Sequence, residues 1–141
     1  MLSELDVRCP PGDVEQRIRN VFSANGKVEL EVPFQRVGLP AIGKLSRRVT
    51  LTLGDAERRS DGATLLPLRW RDADSKSFPE FEGFFEITPL AKDSVQVAII
   101  GDYAPPLGPL GAAFDAAMGR RIAEVTVEEL LYRLRQEIEK A

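Results

Sequence analysis

The absence of histidine constrains this sequence more than any other feature. None of its 141 residues is histidine. Catalysis by Ser-His-Asp or Cys-His groups is therefore excluded, as are metal sites built on imidazole. Any acid–base chemistry would depend on Asp, Glu, Tyr, Lys or Arg. The sequence predicts no metal or other cofactor, and it favours a binding protein over an enzyme.

Cysteine, long apolar runs and an excess of either charge are also lacking. The single cysteine, Cys9, cannot form an internal disulfide. No apolar run approaches the length that crosses a bilayer, and the first residues lack the basic-then-apolar pattern of a secretion signal, so we expect a cytoplasmic protein. The net charge of −3 argues against a nucleic-acid partner, because such proteins usually carry a strong basic excess.

The composition that remains is typical of one globular domain. Hydrophobic residues make up 43% of the 141 residues, enough to build a core without a disulfide or a metal. No repeat, low-complexity tract or linker divides the chain. We therefore interpret residues 1–141 as a single domain.

Alternation of apolar and polar residues predicts an antiparallel sheet. Within residues 27–34, Val28 and Leu30 alternate with Glu29 and Glu31, a pattern typical of a strand with one buried face. Similar patterns predict strands over residues 3–8, 45–58, 63–71, 78–90 and 94–103, and residues 14–22 have the spacing of a short helix. Short polar turns separate most of the strands, so strands adjacent in sequence should pair.

A long helix follows the last predicted strand. Pro109 suits the first helical position, and no residue breaks the helix before Lys140. About thirty residues give a length of about 45 Å, enough to traverse the domain. In the first half of the helix, an apolar stripe includes Phe114 and Met118, and Arg121 falls within it. Near residues 123–126 the apolar side shifts to a different face of the helix.

This order of elements resembles the helix-grip plan of the SRPBCC superfamily, which includes START lipid-transfer domains, polyketide cyclases and birch-pollen-allergen-like proteins. The stretch GDYAPPLGPLG at residues 101–111, continuing through Arg121 and Glu124, is similar to the last strand and final helix of bacterial polyketide cyclase/dehydrase-like members. The resemblance implies an α+β fold in which a curved antiparallel sheet wraps around a long C-terminal helix. It also implies binding of a hydrophobic small molecule, such as a lipid or a polyketide-like compound, between sheet and helix.

The predicted binding site lies between the concave face of the sheet and the first half of the helix. Aromatic residues with a polar tip suit a cavity wall that must also orient a ligand, although they equally suit a packed core. Arg121 would anchor a ligand carboxylate or hydroxyl with the help of Glu124, or else would pair with Glu124 within the helix. The predicted cavity-lining residues are Trp70, Phe81, Phe85, Tyr103, Phe114, Met118 and Arg121.

Three functions remain open at this point. The first is binding of a hydrophobic small molecule. The second is a cyclase/dehydrase-like enzyme that acts on a carbonyl compound through Tyr103 with Asp102, or through Arg121 with Glu124. The third is an interaction module whose cavity has collapsed, since ligand pockets usually have volumes of about 300–1,000 Å³. The sequence assigns no catalytic residue.

The segment GLPAIGK at residues 38–44 has the spacing of a phosphate-binding loop but lacks its chemistry. Leu45 stands where that motif needs Ser or Thr, and a strand follows instead of a helix. We interpret residues 37–43 as an apolar loop, and we expect any membrane contact to be transient and confined to it. The sequence fits a monomer and a homodimer equally.

Overall fold

The computed structural model describes residues 2–22, 26–38, 42–72, 80–104 and 116–140. The expected α+β class is confirmed, as is the expected helix-grip architecture of a curled antiparallel sheet and a long C-terminal helix. The elements in chain order are β1 (Leu2–Arg8), a 3₁₀ turn (Pro11–Asp13), α1 (Val14–Phe22), β2 (Lys27–Pro33), a second 3₁₀ turn (Phe34–Val37), β3 (Lys44–Leu53), β4 (Glu57–Arg58), β5 (Thr64–Arg71), β6 (Glu80–Ala91), β7 (Ser94–Ala104) and α2 (Ala116–Lys140).

The sheet follows the order β1-β7-β6-β5-β3-β2, and β4 pairs with β5. All of these pairings are antiparallel. Most strands that follow each other in sequence pair as expected. One exception is β3, which pairs with β5 rather than β4. The other is β1, which pairs with β7 rather than β2, so the first strand lies beside the last and β2 lies at the opposite edge.

Two predicted elements differ from those observed. The strand predicted over residues 45–58 ends at Leu53, where the Gly54 N–H donates to the Pro67 carbonyl oxygen at 3.0 Å and the chain bends away before β4. The long helix is described from Ala116 onward, so its predicted start at Pro109 lies outside the described residues.

The alternation predicted from sequence separates the sheet into two faces. Along β5, Leu66, Leu68 and Trp70 are buried on the inner face, whereas Pro67 and Arg69 lie on the outer face. The inner face packs into a core with α1 and α2. Its buried apolar residues include Val28, Leu30, Val49, Leu51, Leu66, Leu68, Phe85, Val97, Ile99, Val125, Leu131, Leu134 and Ile138.

Two glycines allow the central strands to approach closely. Gly83 on β6 and Gly101 on β7 stand opposite each other in the register. A Cβ atom added to Gly83 would lie 2.0 Å from the Ile100 carbonyl oxygen, and one added to Gly101 would lie 2.4 Å from the Glu82 carbonyl oxygen. Only glycine fits at these positions, as is typical where a sheet is strongly curled.

Helix α2 contacts both edges of the sheet. On the β2 edge, Arg133 Nη1 donates to the Glu29 carbonyl oxygen at 2.8 Å. On the β1 side, the Arg8 backbone N–H donates to Glu139 Oε2 at 2.9 Å. These bonds satisfy main-chain groups that an exposed edge would leave open to another strand. The helix therefore holds the two ends of the curled sheet together.

Candidate functional site

Three aromatic residues form a row across the inner face, which we call the aromatic row. Trp70 on β5 stands opposite Phe81 on β6, and Phe81 stands opposite Tyr103 on β7. The rings of Trp70 and Phe81 are stacked, with centroids 4.6 Å apart and planes inclined by 17°. The Phe81 ring lies over Gly101, since its Cζ atom is 2.7 Å from where a Cβ of that glycine would stand. Glycine on β7 thus leaves room for the stacked pair.

Burial changes along the inner face of β7. Val97 and Ile99 are fully buried, whereas Gly101 and Tyr103 are only partly buried. Trp70 and Phe81, beside Tyr103, are each only 2% exposed. The inner face is therefore fully buried at the Val97 end, and at the level of the aromatic row Gly101 and Tyr103 are partly exposed.

The other predicted apolar lining residues have different positions. Phe85 is fully buried and stacks with Phe22 on α1 at a centroid distance of 6.3 Å, so it belongs to the packed core. Met118, in the first described turn of α2, is partly buried against the core. Phe114 lies outside the described residues.

The prediction that Arg121 lies within the buried apolar stripe is wrong. Its side chain is 47% exposed, and its Nη1 atom lies 3.7 Å from Glu124 Oε2. Its Nε atom donates to the Arg36 carbonyl oxygen at 3.2 Å. The buried side of α2 runs instead through Ile122 and Val125, which turns Arg121 outward. The intrahelical pair with Glu124 is therefore the observed arrangement.

The catalytic pair suggested for Tyr103 and Asp102 is not assembled either. These neighbours alternate across β7, so Tyr103 faces inward while Asp102 is exposed on the outer face. Burial raises the pKa of the Cys9 thiol, which disfavours the nucleophilic thiolate. Among the described residues, no cluster of three or more Cys, Asp or Glu side chains could hold a metal ion.

Hollows lie on the outer side of the sheet and also along its two edges, where β1 and β2 meet α2. A groove of about 650 Å³ lies on the outer face, and its lining includes Pro67, Phe84 and Ile100. A hollow of about 230 Å³ lies at the level of the aromatic row, but most of its lining residues, such as Arg71 and Glu80, belong to the outer face.

Comparison with known proteins supports the fold. No family model matches the sequence, and no curated protein matches it. The chain is similar to a conserved protein from Geobacillus kaustophilus known from a crystal structure, with a TM-score of 0.57 and 14% identity over 99% of this chain and 94% of that one. It also aligns with a norcoclaurine synthase point mutant from Thalictrum flavum, with a TM-score of 0.37 and 12% identity over 94% of each chain. The chain has the helix-grip fold. At 14% identity, the similarity to the Geobacillus kaustophilus protein shows the fold alone.

One feature of this helix-grip domain was not predicted from the sequence. Arg36, in the second 3₁₀ turn, forms ion pairs with both Glu128 and Glu129 on α2. Its pKa is raised, first by the hydrogen bond to Glu129. We call Arg36, Glu128 and Glu129 the Arg36 clasp. It fixes the turn to the helix just before Ile42, which is 93% exposed. More than ninety residues separate the partners, so no local pattern indicates the clasp.

No helix among the described residues is long and apolar enough to cross a membrane.

Removing the Arg36 clasp should loosen this turn more than it destabilises the domain. We expect Arg36→Ala to lower the free energy of unfolding by about 1 kcal/mol, because exposed ion pairs contribute little. Amide exchange in residues 34–38 should rise clearly. Arg47→Ala is the matched control, because the only interaction of Arg47 among the described residues is a 3.5 Å contact with the Ser46 carbonyl oxygen. Equal exchange rates in the two variants would contradict an anchoring role for the clasp.

Proposed function

We propose that this domain binds a compact, planar hydrophobic molecule, of the polyketide-like rather than the long-chain lipid kind, between the aromatic row and the first described turn of α2. The observation that carries the proposal is the combination of stacked rings at Trp70 and Phe81 with the partial burial of Tyr103 beside them. The ligand would enter where the inner face becomes accessible. Met118, on the helix side, would complete the apolar contact.

The chemistry of the aromatic row favours a flat ligand with one polar edge. Aromatic rings that stack in offset geometry gain about 0.5–1.5 kcal/mol beyond the burial of their area. Besides the indole N–H of Trp70, the row has the Tyr103 hydroxyl, which can donate a hydrogen bond to a carbonyl or hydroxyl oxygen. A molecule that offers a ring face and one such oxygen would use both features.

The packing of the rest of the interior argues against a long-chain ligand. Phe85, Ile99 and Val97 are fully buried and fill one end of the core. An extended acyl chain would have to displace these close-packed side chains, whereas a compact molecule needs only a shift at the accessible end.

Many proteins with a curled sheet around a C-terminal helix belong to the superfamily that the sequence resembles, and we include this chain among them as part of the proposal.

A fluorescence titration tests the proposal directly, because Trp70 is the only tryptophan in the sequence. We expect saturable quenching of Trp70 emission by a hydroxynaphthalene and little response to a long-chain fatty acid. Tyr103→Phe should weaken hydroxynaphthalene binding about 3- to 10-fold through loss of one hydrogen bond. Tyr132→Phe is the matched control, since the other tyrosine is 50% exposed on α2.

Two results would count against the proposal. If neither compound produces a saturable change, and a native mass spectrum shows no bound molecule, the collapsed interaction module is the better description. If Tyr132→Phe weakens binding as much as Tyr103→Phe does, the ligand does not lie at the aromatic row.

A further inference from the structure

The outer face of the sheet carries an apolar row where a solvated face would be polar. Pro67, Phe84, Ile100 and Leu2 stand opposite one another in register across β5, β6, β7 and β1. Phe84 is 43% exposed and Leu2 is 61% exposed. An exposed apolar patch rimmed by polar residues typically marks an interaction site. We call these four residues the outer row.

Charged residues lie next to the outer row on the same face. Each stands two residues along its strand from a residue of the outer row, in the direction of the aromatic row. Arg69 on β5 stands opposite Glu82 on β6, which stands opposite Asp102 on β7. All three side chains line the 650 Å³ groove together with Pro67 and Phe84 of the outer row. The groove therefore combines an apolar floor with a positive group on one strand and negative groups on the next two.

These charges differ from similar ones on the same face. Arg71 lies 4.0 Å from Glu80, and Arg59 lies 2.9 Å from Glu86. Arg69 stands opposite Glu82 in the same register, yet within the described part of the chain no ion pair forms at Arg69, Glu82 or Asp102. The flanking pairs, Arg71–Glu80 and Arg59–Glu86, form within the chain. The central residues, Arg69 and Glu82, are available to pair with another molecule.

We propose that the outer face is the interface of a symmetric homodimer. A two-fold axis that runs parallel to the strands, between β5 and β6, exchanges the positions of these strands. It places Arg69 of each protomer against the partner's Glu82, and Pro67 against the partner's Phe84. Because the contact is isologous, each pairing occurs twice. Two sheets that pack face to face in this way bury their apolar rows at the centre of the interface.

A second copy satisfies the groove better than a small molecule does. The groove volume of about 650 Å³ also falls within the usual range for ligands. An apolar ligand would cover Phe84 but would leave Arg69 and Glu82 without partners. When the face meets a copy of itself across the two-fold axis, Arg69 and Glu82 of one protomer each face an opposite charge on the other. The dimer is therefore the occupant that uses both the apolar and the charged residues.

Sedimentation equilibrium of the full chain tests this interface. We expect the wild type to dimerise with increasing concentration. Phe84→Asp should weaken the dimer about 30-fold or more, as for a central apolar contact. Arg69→Glu and Glu82→Arg should each weaken it at least about tenfold by placing like charges together. The double variant Arg69→Glu/Glu82→Arg restores the pairing with reversed signs, so it should dimerise nearly as well as the wild type.

The control is Leu90→Glu, which adds a charge at another exposed apolar residue of β6, outside the groove. This variant should dimerise like the wild type, and circular dichroism should show that every variant is folded. A wild-type protein that stays monomeric up to about 100 µM would overturn the proposal, since interfaces of standard size bind in the µM to pM range. A dimer that persists in Phe84→Asp, or a double variant no better than its single variants, would overturn it as well.

Discussion

Replacing Gly83 with alanine should cost this domain about 3 kcal/mol or more of its free energy of unfolding, because the new methyl group overpacks the sheet. The added Cβ would lie 2.0 Å from the Ile100 carbonyl oxygen and 2.9 Å from the Ile100 carbonyl carbon. These are main-chain atoms of the neighbouring strand, so no change of rotamer can relieve the contact. The strands β6 and β7 would have to separate where the sheet is curled. A loss of this size is a large part of the about 5–15 kcal/mol that stabilises a typical domain.

The matched control for Gly83→Ala is Gly12→Ala. A Cβ on Gly12 would meet no atom within 4 Å, and Gly12 is not among the glycines with positive φ. We expect its free energy of unfolding to stay within about 0.5 kcal/mol of the wild-type value, as for most surface changes. Urea unfolding followed by Trp70 emission measures both variants. Equal stabilities would mean that the close approach of β6 and β7 does not hold in solution.

The local part of this architecture could be predicted from the sequence. The alternation of apolar and polar residues placed Trp70 and Phe81 on the inner face, because side-chain direction in a strand depends only on position parity. Gly83 could be assigned to a bend or a close contact because glycine inside a strand pattern marks such positions. The pairing of β1 with β7 could not be predicted, since it joins the first strand to the last and leaves no trace in local sequence.

The candidate site was harder to predict than the fold. A helical projection placed Arg121 within an apolar stripe, but a projection does not show which side of the helix the neighbouring sheet covers. The carbonyl oxygen of Arg36, which accepts from Arg121, comes from a turn 85 residues away in the sequence. The Arg36 clasp depends on the same long-range contact. Whether a side chain at the boundary of a buried face is buried or exposed therefore depends on tertiary packing, which a sequence pattern does not contain.

The two neighbouring phenylalanines of β6 offer a second test with a large expected effect. Phe85 is fully buried and stacks with Phe22, whereas Phe84 is 43% exposed on the outer face. Truncating a buried phenylalanine to alanine typically costs about 3–5 kcal/mol, through lost transfer free energy and the cavity that remains. We expect Phe85→Ala to fall in this range. Phe84→Ala should cost about 1 kcal/mol or less, as for a partly exposed surface position.

The comparison requires dilute protein, because Phe84 also belongs to the proposed dimer interface and its truncation would otherwise change stability through association. Urea unfolding should be measured at two low protein concentrations at which the wild type has the same unfolding midpoint. Association then contributes nothing to the measured stability. Under these conditions the difference between the variants reports only which face of the sheet each ring occupies. Similar losses in both would mean that the two faces are not distinguished as the structure has them. The inner aromatic row and the outer row would then lose their basis together, since both depend on the same alternation along β6.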